Sequence, residues 1–203
     1  MSTIETITVD PTLLGDKVDL RDLFGNGRPV ELEIGCGKGG FLLRRAQAHP
    51  DRNFVGIEWA NKFYKYAADR MSRWALTNVR IMRTDARHFV IHRVAAGCLT
   101  AMHIYHPDPW PKKRHHKRRL VRPDFMEAAV RAMADGARLA IQTDHAEYFE
   151  EIRAVTAARP ELEPIPFEDA GYGTVGEAME TNFEIKYRRE GRRFYRLAFR
   201  RAR

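Results

Sequence analysis

Cysteine is scarce: Cys36 and Cys98 are the two in 203 residues. That excludes a disulfide framework, and their separation has no metal-ligand spacing, so both read as small buried apolar residues. No stretch approaches the roughly 18 consecutive apolar residues of a membrane-spanning helix. The first residues, "MSTIETITVDPTLLGDKVDL", lack the basic start and apolar centre of a secretory signal, and the expected location is the cytoplasm. There is no internal repeat and no low-complexity linker. Acidic residues are also in deficit, 27 against 35 Lys and Arg, and the resulting net charge of +8 favours an anionic partner, nucleic acid or an acidic membrane surface. With 44% apolar and 31% charged residues the chain reads as globular, and its length suits one α/β domain rather than two.

What is present is a rhythm of short apolar runs and helical patterns. "PVELEIG" (29–35) and "NFVGIEW" (53–59) read as buried strands, and between them "GGFLLRRAQAHP" carries helical spacing at Phe41, Leu42 and Ala46 and stops before Pro50. The pattern continues with a helix at about 60–77, a strand at "NVRIMRT", a short helix near 86–95 and a strand at "CLTAMHIY". "PDFMEAAVRAMA" then places Phe125, Met126, Ala129, Val130 and Met133 on one helical face, with Pro123 suited to the first turn. "GARLAIQTD" is a fifth strand, "AEYFEEIRAVTAA" a helix, and the tail a turn followed by a last strand with Phe194, Leu197 and Phe199 as its apolar residues. Alternation at this spacing predicts a doubly wound, mostly parallel sheet with helices on both faces. Residues 1–28 form an N-terminal arm and 29–203 the single domain.

"EIGCGKGGF" holds G-x-G-x-x-G at Gly35, Gly37 and Gly40, after a strand and before a helix, as a nucleotide-binding loop requires. A nicotinamide-dependent oxidoreductase would show the same loop, with Glu58 for the ribose. Glu33, immediately before the loop, would repel a pyrophosphate but suit a cationic ligand. S-adenosylmethionine carries a sulfonium and an ammonium and no phosphate. With Asp85, three acids stand at successive strand ends, where open α/β sheets bind ligands. The arrangement resembles class I S-adenosylmethionine-dependent methyltransferases, which implies their Rossmann-like, seven-stranded fold.

"HPDPW" begins where the fourth strand ends. Pro107 and Pro109 restrict Asp108 from both sides, and a held carboxylate is useful at a reacting centre. Trp110 either stacks on a base or closes the core. "KKRHHKRRLVR" follows, with seven Lys or Arg (112, 113, 114, 117, 118, 119 and 122) in eleven positions, a strip able to clamp phosphates. Neither His103 with His106 nor His115 with His116 makes a zinc site, and no metal is expected. The C-terminal "KYRREGRRFYRLAFRRAR" adds nine basic residues among aromatics, read as a final strand with a basic outer face. A non-catalytic RNA-binding module would share the basic strips but leave the three strand-end acids without a role.

"PDPWPKKRHHKRRL", together with "EIGCGKGGF", "GIEWA", "TDA", "QTDHAEY" and "TNFE", resembles the bacterial tRNA (guanine-N7-)-methyltransferase family from about residue 30 to the C-terminus. The resemblance implies cofactor binding by Glu33, Gly35, Gly37, Glu58, Asp85 and Asp108, with Asp108 also catalytic. It implies substrate guanosine binding by Lys112, Asp144 and the segment Thr181, Asn182, Phe183 and Glu184, where Asn182 departs from the Lys or Arg often found. The implied partner is tRNA, methylated at the variable-loop guanine by a monomer or homodimer.

Overall fold

The computed structural model describes residues 4–172 and 193–203. Among these residues eight strands form one sheet: β1 (Thr8–Val9), β2 (Val30–Ile34), β3 (Asn53–Ile57), β4 (Val79–Met82), β5 (Leu99–Tyr105), β6 (Met133–Thr143), β7 (Leu162–Ile165) and β8 (Tyr195–Arg201). Their spatial order is β1-β4-β3-β2-β5-β6-β8-β7. The pairs from β1 through β6 are parallel, while β8 runs antiparallel to both β6 and β7. Every residue of β2 and β3 is buried, as expected of parallel strands covered on both faces.

The helices are α1 (Ile4–Ile7), α2 (Gly40–Ala48), α3 (Asn61–Arg73), α4 (Ala86–His92), α5 (Pro123–Ala132) and α6 (Ala146–Ala157). On one face of the sheet Leu42, Ala46, Ala67 and Met71 pack on Phe54, Val79 and Ile81. On the other, Phe89, Phe125, Met126 and Ile152 pack on Leu32, Val55, Met102 and Ile141. Pro123 opens α5 at its first turn, and Phe125, Met126, Ala129 and Val130 are its buried face. Met133, expected on that helix, instead begins β6, fully buried against Leu99.

Among the described residues the sheet has eight strands rather than the seven that the resemblance implies. Beyond the six strands read along the chain it holds the two-residue β1 and the edge strand β7, "LEPI", whose Pro164 suits a strand paired on one side. Residues 4–28 lie against the body: Ile7 and Leu20 are fully buried, and Arg93 donates to the carbonyls of Pro11, Leu14 and Gly15 at 2.6–2.7 Å.

Candidate active site

Neighbours β3 and β4 lie on one side of β2, and β5 and β6 on the other. The crevice at the carboxyl ends of β2 and β5 is therefore the point where the winding reverses, the usual ligand position in such sheets. A cleft of about 650 Å³ opens there, lined among others by Gly35, Gly37, Glu58, Asp85, Asp108 and Trp110. That volume is in the range of small-molecule sites.

The glycine loop is built by backbone needs. Gly35 and Gly37 adopt φ of 74° and 54°, values that L side chains avoid. The third glycine that the loop requires is Gly39 rather than Gly40, because Gly39 takes φ of 68° and a Cβ there would crowd Ala67 Cβ at 3.2 Å. Glu58, at the end of β3, fastens the loop: Oε2 accepts from Gly37 N and Oε1 from Ala60 N, both at 2.8 Å. Each carboxylate oxygen keeps further acceptor capacity toward the cleft. Cys36, buried where α2 meets Gly56, has its thiol pushed up by burial and fills space. Asp85 is the N-cap of α4, where its Oδ1 accepts from His88 N at 2.9 Å.

Glu33 lies off the cleft wall, 3% exposed. Its carboxyl Oε2 is buried and, among the described residues, meets no hydrogen-bond partner. Burial pushes it up to about 8, against the nearby charge of Arg44, with Glu58 adding to the rise. Two residues back, Glu31 is saturated. Arg45 Nη2 donates to both its oxygens at 2.8 and 3.0 Å, Arg52 Nη1 donates at 2.8 Å, and His103 Nε2 lies 3.0 Å away. Burial favours the neutral form of His103, which assigns Nε2–H as the donor and leaves Nδ1 to accept from Tyr105 Oη at 2.9 Å.

The proline corner sits on the opposite wall. Asp108 is exposed, and the residues flanking the prolines, His106 and Trp110, take φ of 52° and 43°. Trp110 is half-buried rather than in the core, because that turn directs it along the cleft wall beside His115, with Arg118 Cζ 4.9 Å from its ring centroid. The basic run divides. Lys113–Arg118 is a 3-10 helix whose Lys117 and Arg118 line the cleft. Lys112 precedes it, exposed, and is not on the cleft wall. Arg119, expected among the phosphate-facing residues, is 0% exposed and faces inward.

The structure thus brings Gly35, Gly37, Glu58, Asp85 and Asp108 together in one cleft, with Glu33 behind it. Asp144 stands beside it, Oδ1 3.7 Å from His106 Nδ1. Thr181, Asn182, Phe183 and Glu184 lie outside the described residues. Sequence reasoning missed His106, considered there only as a metal ligand. It also missed the cluster around Glu31, whose signal was a Glu alternating with apolar residues on a strand flanked by arginines.

A family model described as "Putative methyltransferase" matches residues 27–197. The chain is 38% identical over 190 residues to the tRNA (guanine-N(7)-)-methyltransferase of Alkalilimnicola ehrlichii, covering 92% of this chain and 78% of that one. It is also 38% identical over 167 residues to the enzyme of the same name from Syntrophotalea carbinolica, covering 78% and 71%. Among solved structures, the aminoglycoside resistance methyltransferase NpmB1 superposes with a TM-score of 0.58 at 18% identity over 90% of this chain and 92% of that one, a likeness of fold. These similarities set aside both the oxidoreductase and the non-catalytic module: the chain belongs to the tRNA (guanine-N7-)-methyltransferase family.

Proposed function

We propose that the protein methylates N7 of the variable-loop guanine of tRNA in the cytoplasm, using S-adenosylmethionine. The observation that carries this reading is the shared cleft, with Glu58 and Asp85 on one wall, Asp108 on the other, and Lys117 and Arg118 at its side. The residues suit this cofactor: three acids face the cleft, and Glu33 Oε2, behind its wall beside the glycine loop, is a buried acceptor that meets no donor among the described residues, which an ammonium would supply. In this reading Glu58 accepts from the ribose hydroxyls and Asp85 from the adenine amino group.

S-adenosylmethionine supplies the methyl on a sulfonium, and guanine N7, an acceptor with an in-plane lone pair and no proton, takes it without needing a general base. Asp108 orients the guanine and offsets the positive charge that develops on it. Asp144, with Thr181 and Glu184, accepts from the donor edge of the base, while Lys112, Lys117 and Arg118 meet phosphates. Because N7 in helical RNA faces a groove too narrow for side chains, the target lies in a loop or is exposed by local opening.

The test is methyl transfer from labelled S-adenosylmethionine to unmodified tRNA, followed by chemical cleavage selective for N7-methylguanine. Cleavage at the variable-loop guanine is expected; incorporation elsewhere would overturn the site assignment. Asp108→Ala should slow single turnover on the order of 10²-fold while cofactor affinity changes far less, and an intact rate would remove Asp108 from the chemistry.

A further inference from the structure

We propose that Arg119 is a positioning residue of the methyl transfer: seated on α6, it holds the carbonyl of Pro109 and thereby fixes the corner that presents Asp108 to the cleft. The inference rests on the reading of Asp108 given above.

The corner cannot hold itself. His106 and Trp110 both occupy the left-handed region, which residues with a Cβ avoid, and such strain persists only where the surroundings impose it. Pro107 and Pro109 restrict the chain between them but have no N–H with which to anchor it. Each end has its own latch. At the entry, His106 N donates to the carbonyl of Gln142 at 2.8 Å, and the Gln142 amide lies 2.9 Å from His106 Nε2. At the exit, Arg119 Nε donates to the Pro109 carbonyl at 2.7 Å.

Arg119 is itself held by one helix. Its Nη1 meets Glu151 Oε2 at 2.7 Å and its Nη2 meets Glu147 Oε1 at 3.4 Å. Its guanidinium carbon stands 4.8 Å from the ring centroid of Tyr148, whose hydroxyl accepts from Val121 N at 3.0 Å. Glu147, Tyr148 and Glu151 are close neighbours on α6, so they form a single rigid seat. The planar fork of a guanidinium can serve a carbonyl on one edge and carboxylates on the other, which the single point charge of a lysine does less well. A cation so enclosed is not presented to RNA, although it lies within a run of basic residues.

The experiment compares single-turnover methyl transfer at saturating tRNA and S-adenosylmethionine, normalised to folded protein by circular dichroism. The proteins are wild type, Arg119→Met, Arg119→Lys, Asp108→Ala and the double variant Glu147→Ala/Glu151→Ala. Arg119→Met is expected to slow the saturated rate about 10–10²-fold, the scale of small misplacements at a reacting centre, with tRNA affinity and its salt slope unchanged. Arg119→Lys should recover part of the rate. The double variant loosens the seat without opening a cavity, since both glutamates are about half exposed, and should slow the reaction by a smaller factor. The inference is overturned if Arg119→Met keeps the saturated rate, or if it lowers the salt slope by about the 0.7–0.9 expected of one lost phosphate contact. Asp108→Ala separates the two ideas: a wild-type rate there defeats the reading of Asp108, whereas a slow Asp108→Ala beside an unaffected Arg119→Met defeats the role of Arg119 alone.

Discussion

Glu31 and Glu33 stand two residues apart on β2, on the same face of the sheet, 1% and 3% exposed. Burial by itself pushes both carboxyls up. At Glu31 the hydrogen bond from His103 and the charges of Arg45 and Arg52 outweigh it and bring the group down to about 2. At Glu33 the charge of Arg44 does not, and it stands at about 8. Depth is therefore a poor guide to charge state, and the number of donors within reach decides it. The saturated end of the strand has nothing left to offer a ligand and serves as scaffold; the unsaturated end, beside the glycine loop, does have something to offer.

The largest effect should come from breaking the saturated end. Glu31→Ala leaves Arg45, almost wholly buried, without its carboxylate, and urea denaturation at pH 7 should show a loss of about 3–5 kcal/mol. The folded-state value of Glu31 is depressed, so its contribution is complete above the unfolded value of 4.5 and disappears as pH falls from there toward about 2. Stability measured against pH in that window should be flatter in the variant; equal slopes would mean that the cluster is not ionised as described.

At the other end the sign reverses. The folded-state value of Glu33 is raised, so as pH climbs from 4.5 to about 8 the unfolded chain gives up this proton first and stability falls. Glu33→Gln should remove that fall and melt higher than wild type at pH 8 by a few degrees, on the scale of about 2–4 °C per kcal/mol for a domain of this size. The same change should weaken S-adenosylmethionine about tenfold, the worth of one charge-assisted hydrogen bond. Unchanged cofactor binding would detach Glu33 from the site and leave its missing donor unexplained.

The smallest effect sharpens the contrast by taking burial away. Arg153 and Glu150 form a pair at 2.5 Å on the outer surface of α6, 65% and 59% exposed. Arg153→Ala should change the unfolding free energy by less than about 0.5 kcal/mol. A loss comparable to that of Glu31→Ala would mean that short distance rather than enclosure sets the strength of these pairs.

The alternation of strands and helices, the glycine loop, the strand-end acids and the proline corner were all legible in the chain, because each is a local pattern. The strands β1 and β7 were not, because β1 is only two residues long and β7 carries Pro164, and both exist only by pairing with a neighbour. Gly39 was passed over for Gly40, since its left-handed φ and the crowding by Ala67 of another helix are settled only in the fold. Arg119 looked like its basic neighbours for the same reason: nothing in "KKRHHKRRLVR" reveals which member of the run turns inward.

By itself the sequence determined the fold class, the position of the binding crevice and the types of group around it, since hydrophobic period, turn chemistry and motif spacing act over a few residues. Only the tertiary structure decided which of two buried glutamates is charged, which arginine supports the corner instead of facing the cleft, and that Trp110 lines a wall rather than the core. Those outcomes depend on donors and acceptors brought within about 3 Å from distant parts of the chain, where the low dielectric of the interior magnifies each partner gained or missing.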